Sequence, residues 1–198
     1  MTVRRAIVTL TCLAVLGLIA VGVAELPGGS RSGTSAPARL TPARVRALLE
    51  GSPPPLASLH DQGGALLEGG ARALRARLAA LKGYPVVINK WASWCVPCKE
   101  ELAAFQRASA EYGRRVAFLG IDSGDSSRAD ALAFLKSFPV SYPSYYDHSG
   151  SLGEQITDST FTPVTVFIPL HGHPFIYQGQ FPDVGKLEQD VERYALDA

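Results

Sequence analysis

The residues best placed to do covalent chemistry are Cys95 and Cys98, inside Trp91-Ala92-Ser93-Trp94-Cys95-Val96-Pro97-Cys98-Lys99-Glu100-Glu101. Upstream, Pro85-Val86-Val87-Ile88-Asn89 is an apolar, mostly β-branched run of strand length. Downstream, Lys99 to Tyr112 carries helix formers, with Leu102, Phe105 and Ala108 or Ser109 spaced three or four apart. The pattern predicts strand, tight loop and helix, with two thiols where the helix begins. Residues at i and i+3 on a helical turn sit close enough for a disulfide of ordinary geometry. Cys95 falls at the end where free N–H groups point and the helix dipole is positive, so its thiolate is stabilised and its pKa depressed. Cys98, one turn in, is expected to be the more buried partner. The pair reads as a thiol–disulfide redox couple.

Two plainer readings compete. Half of a zinc site would need a second pair, and His60, His148, His171 and His173 show no zinc-finger spacing. A purely structural bridge inside one turn closes a tiny loop and stabilises little. With 198 residues, 46% of them hydrophobic, and a net charge of +1, the chain is one domain plus appendages, with no charge excess for nucleic acid. Its three cysteines make one close pair and an outlier, not a disulfide scaffold. No metal or cofactor is expected.

The stretch Asn89 to Glu101 resembles the signature of thioredoxin-fold proteins of the TlpA/ResA-like branch, exported or membrane-tethered thiol–disulfide oxidoreductases. The resemblance spans residues 53–198 and is most specific at the Trp94-Cys95-Val96-Pro97-Cys98 core. It implies an attacking Cys95 and a resolving Cys98, protein dithiols or disulfides as substrates, and a membrane thiol-reductant transporter as electron donor. Relatives act in processes such as cytochrome c maturation and copper-site assembly. It implies further that Thr162–Pro163 is a cis bond whose loop faces the cysteines, with Trp94, Thr162 and Pro163 binding an extended substrate segment. Glu101 matches the acidic position of the ResA-like pattern and is assigned proton handling beside Cys98. Ordinary thioredoxins carry an Asp where Asn89 stands here.

Departures from the family are Lys90 where an apolar or aromatic residue is more usual, Ala103 for a proline, and Pro169 for an acidic residue after the following strand, which is expected to change the usual hairpin geometry but not the chemistry. Lys90 has two readings: a solvent-reaching lysine at a strand end, or a cation favouring the Cys95 thiolate. Ala92, three before Cys95, lacks the hydroxyl a peroxidase relative would carry. Val96 and Pro97 supply no histidine to stabilise a thiolate, which tilts the pair toward reduction of protein disulfides. A disulfide-forming oxidase and a tethered binding or chaperone module, serving metal delivery or cytochrome assembly, are the alternatives.

Around this centre the chain divides into a cytoplasmic tail 1–5, a membrane segment 6–24, a linker 25–52 with a short helix, and a thioredoxin-like domain 53–198. Arg4 and Arg5 precede an uncharged run from Ala6 to Ala24, long enough to span a bilayer, which predicts a single-pass helix with the domain outside the cytoplasm. A cleaved signal ending at Ala24 is the rival. Cys12 reads as a small apolar residue within that run. Gly, Ser, Pro and Arg then make a spacer, and Thr41-Pro42 an N-cap with Pro at the first helical position. Leu56 to His60 is expected as an edge strand. Ala71 to Lys82 is expected as an amphipathic helix stopped by Gly83, and Asp130 to Phe138 as a helix burying Leu132, Leu135 and Phe138. Strands at 116–121 and from Thr162, a turn at His171-Gly172-His173, and a closing helix 184–196 complete an α/β thioredoxin fold, a mixed sheet flanked by helices.

Overall fold

The apolar β-branched runs pair into one six-stranded sheet, in a computed structural model that describes residues 39–197. The strands are β1 (Leu66–Leu67), β2 (Val86–Trp91), β3 (Ala117–Ser123), β4 (Ser144–Asp147), β5 (Val164–Ile168) and β6 (Phe175–Gln178), in the order β1-β4-β3-β2-β5-β6. β2, β3, β4 and β1 run parallel, β5 pairs antiparallel with β2, and β6 pairs antiparallel with β5. The expected membrane segment 6–24, Cys12 and the spacer to residue 38 lie outside the described residues. Among the described residues no helix is long and apolar enough to cross a membrane.

Alternation along β2 sends Val87, Asn89 and Trp91 to one face and Val86, Ile88 and Lys90 to the other. The first face meets α4 (Val96–Tyr112), α5 (Arg128–Ser137) and α7 (Val184–Val191), and its core includes Trp91, Phe105, Phe118, Phe134 and Leu187. The second meets α2 (Pro54–His60), α3 (Gly70–Ala80) and α6 (Ser151–Thr157) around Leu59, Leu74, Ile88, Leu119 and Leu152. Each such large apolar side chain removed from water contributes roughly 1.5–3 kcal/mol. A π-helical turn, Glu192–Leu196, continues α7 and buries Ala195.

Four expectations need correcting. Leu56–His60 is helix, not edge strand: the proline run places Pro54 and Pro55 in the first turn, where a missing N–H costs nothing. The edge is instead the two-residue β1, too short to show a period. In α5 the buried residues are Ala131, Phe134 and Leu135, while Leu132 is exposed, because the i, i+3, i+4 phase starts one residue earlier than expected. The linker does not extend to residue 52. Helix α1 (Pro42–Leu49), capped by Thr41 Oγ1 accepting from the Arg44 N–H, packs on α4 and buries Leu49. Leu40 N–H donates to Gln106 Oε1 at 3.2 Å, and the Arg39 guanidinium sits over Phe138. Gly113 makes that docking possible, since a Cβ there would lie 2.6 Å from Leu49 Cδ2. Finally, Pro169 does not disturb the hairpin: β5 and β6 pair from Val164↔Gln178 to Phe167↔Phe175.

Candidate active site

Cys95 is the N-cap of α4, with extended backbone, and its Sγ accepts the Cys98 N–H at 3.2 Å. Pro97 stands in the first turn, where it removes a donor that would otherwise need a partner. The two sulfurs form a disulfide, with Cα atoms 5.3 Å apart. Cys98 is fully buried and Cys95 is 3% exposed. The Thr162–Pro163 bond is cis, and the Thr162 carbonyl lies 3.8 Å from Cys95 Sγ. Around this slot Trp94 (60%), Val96 (61%) and Phe161 (70%) are the most exposed large apolar residues among those described. The structure therefore brings Trp94, Cys95, Cys98, Thr162 and Pro163 to one place.

Glu101 is buried one turn after Cys98. Its Oε1 accepts from Asn89 Nδ2 at 2.9 Å, and its Oε2 from the Phe181 N–H at 3.2 Å. Burial pushes the carboxyl up to about 7, against the pull of those two hydrogen bonds. Asn89, which cannot titrate, thus holds the acid that stands one helical turn from the cysteine.

Lys90 answers to neither of its expected readings. It is 1% exposed and projects from the sheet face opposite the cysteines, since Val87, Asn89 and Trp91 occupy their side. Its Nζ donates to the Ser159 carbonyl at 2.7 Å. Burial lowers its pKa, while the charges of Glu154 and Asp147 hold it up.

Sequence reasoning missed the groups that fix the Cys95 loop. Asp125 accepts from the Ser93 N–H (3.0 Å) and the Ser93 hydroxyl (2.8 Å), and Trp94 Nε1 donates to Gly124 O at 3.3 Å. Below them Asp122, at the register position opposite Trp91, is wholly buried, and neither of its carboxyl oxygens has a hydrogen-bond partner. Burial, then neighbouring Asp125 and the charge of Asp147, push it up to about 9. The one available signal was an acid on the inward phase of an otherwise apolar strand; the Ser93–Asp125 pairing left none. Phe161 carried only its place beside Thr162-Pro163.

This sheet, with a cysteine pair at the head of α4 opposite a cis-proline loop, defines a thioredoxin-like protein. A family model described as the AhpC/TSA family matches residues 69–168, and the chain belongs to that family. It is similar to the Thioredoxin-like protein YneN of Bacillus subtilis, 30% identical over 78 residues, which are 38% of this chain and 46% of that protein. It is also similar to the Thiol-disulfide oxidoreductase ResA of Oceanobacillus iheyensis, 29% identical over 96 residues, 48% of this chain and 50% of the relative. The matches span about half the length of these curated relatives. Among solved structures, the putative Thiol:disulfide interchange protein DsbE from Chlorobium tepidum superimposes with a TM-score of 0.53 at 24% identity, over 59% of this chain and 84% of that one, a likeness of fold.

Proposed function

We propose that this protein is a thiol–disulfide oxidoreductase that reduces protein disulfides outside the cytoplasm, anchored by a helix at residues 6–24. The observation that carries the reading is the Cys95–Cys98 disulfide at the head of α4, with Cys95 Sγ against the Thr162 carbonyl of the cis-proline loop. The relatives' names and the paired thiols support the same chemistry.

In the reduced protein the Cys95 thiolate attacks one sulfur of a substrate disulfide. The substrate S–S bond breaks, one substrate thiolate leaves, and a mixed disulfide forms. Cys98, as thiolate, then attacks Cys95 Sγ and expels the second substrate sulfur. The substrate has gained two electrons and the enzyme is left as the Cys95–Cys98 disulfide. Glu101, with its pKa near 7, accepts the Cys98 proton as that thiol becomes a nucleophile. Trp94, Thr162 and Pro163 bind the substrate strand. A membrane thiol-reductant transporter restores the dithiol.

Reduction of insulin by the reduced full chain tests the reading, with Cys98→Ser trapping a mixed disulfide through Cys95. Absence of both turnover and trapping would refute it.

A further inference from the structure

Lys90 is an expensive residue in its position. A buried ammonium costs several kcal/mol unless its donors are satisfied, and among the described residues no carboxylate lies within salt-bridge distance of it. An apolar side chain of similar length would fill the space at lower cost. What the ammonium adds is its bond to the Ser159 carbonyl. Room for it is kept by Gly153, where a Cβ would lie 3.0 Å from Lys90 Cε.

Ser159 begins the run that ends at cis-Pro163, and several observations mark that run as held from outside. Asp158, just before it, has φ 49°, and it is the one non-glycine residue at positive φ among those described. It caps α6 in the left-handed conformation and so turns the chain into the run. Thr157 Oγ1 donates to Gly153 O at 2.7 Å and also lies 3.1 Å from the Ser159 carbonyl. The Phe161 N–H donates to Ser159 Oγ at 3.1 Å. At the far end, Val164 pairs in register with Lys90 itself. Lys90 therefore grips the loop twice, by its backbone beside Pro163 and by its ammonium at Ser159. Between these grips lie exposed Phe161 and the carbonyl that faces Cys95.

We propose that Lys90 is a positioning residue for the docking loop 158–163, setting the affinity for polypeptide disulfides from the opposite side of the sheet while taking no part in thiol exchange. The proposal rests on the oxidoreductase reading for its substrate class. A small disulfide needs only the sulfur of Cys95. A polypeptide must also pair with the Thr162 backbone and lie along Phe161.

The test compares wild type with Lys90→Met in the full chain, using insulin and glutathione disulfide as substrates and amide hydrogen exchange at Phe161 as a third readout. The kcat/KM for insulin should fall about tenfold through a higher KM, the usual scale for losing a hydrogen bond to a charged group. The rate with glutathione disulfide should stay within about twofold, and Phe161 exchange should quicken. Parallel losses on both substrates would make Lys90 a merely structural residue, and unchanged ratios with unchanged exchange would overturn the proposal. If Lys90→Met does not fold, Lys90→Arg, a bulkier cation, should show the same split with a smaller factor, and no split overturns it. A wild type that reduces neither disulfide refutes the oxidoreductase reading instead; the exchange arm still decides the role of Lys90.

Discussion

Two loops meet at the disulfide, and each is tied down by an ionisable side chain, but in different ways. The loop carrying Cys95 is clamped at Ser93 by the carboxylate of Asp125, two residues from the reacting sulfur and on its own edge of the molecule. The loop carrying Thr162 is clamped at Ser159 by an ammonium that reaches it from beneath the sheet. On the proposed mechanism the first tie fixes the atom that changes bonds, and the second fixes the surface offered to the substrate. The contrast predicts that loss of the tie near the sulfur affects every disulfide substrate, and loss of the distant one only polypeptides.

The largest effect should come from removing the atom both loops serve. Cys95→Ser should lower turnover with either insulin or glutathione disulfide by a thousandfold or more, on the order seen when a nucleophile is lost. Measured activity within tenfold of wild type would mean that Cys98 can initiate exchange.

Next, Glu101→Gln should slow insulin reduction by about tenfold to a hundredfold if the carboxyl relays a proton. It should also change stability in a defined direction. The folded-state pKa is raised to about 7 from an ordinary 4.5, so the folded protein holds the extra proton between those values. The stabilisation is complete below pH 4.5 and is lost as pH rises to 7. Denaturant titrations across that range should slope downward for wild type and flatten in the variant; parallel curves would leave Glu101 as a buried acid without consequence.

Asp125→Ala sharpens the contrast between the loops. Ser93 loses two hydrogen bonds to a carboxylate, and reactivity should drop about tenfold on small and polypeptide disulfides alike. A selective loss on insulin would erase the distinction drawn between the two ties.

The smallest effect is on stability alone. Asp122→Asn should stabilise the protein by about 1–3 kcal/mol at neutral pH, because the buried acid must take up a proton on folding and the amide need not. With its pKa raised to about 9, wild-type stability from this group is present below the ordinary carboxyl range and is lost as pH rises toward 9. The variant should show no such decline in thermal melts, and an unchanged slope would remove Asp122 from the account.

The cysteine pair and the strand-helix frame around it were legible because their signals are local. An apolar β-branched run, a capping position and a three-residue spacing each act within a turn or two. Glu101 was singled out by the family pattern; what the structure adds is its burial one turn from Cys98. The cis bond at Thr162–Pro163 came only from the family resemblance. What escaped were contacts between distant segments: Ser93 with Asp125, Lys90 with Ser159, and Leu40 with Gln106. Lys90 was misplaced because a charge at a strand end ordinarily reaches water, and nothing near it in sequence reveals the groove beside Gly153. The helix at Pro54 was misread because a proline run suggests a junction as readily as a first turn.

The chain has two tryptophans, and their placement has an optical consequence. Trp91 is buried, stacked on Phe134 with centroids 4.8 Å apart, and its Nε1–H donates to Ser144 Oγ, in the same core that holds the two cysteines. Trp94 is exposed and directly precedes Cys95, one of the two sulfurs of the Cys95–Cys98 bond. Opening the Cys95–Cys98 bond is therefore expected to alter the intrinsic emission, a readout of redox state that needs no added dye.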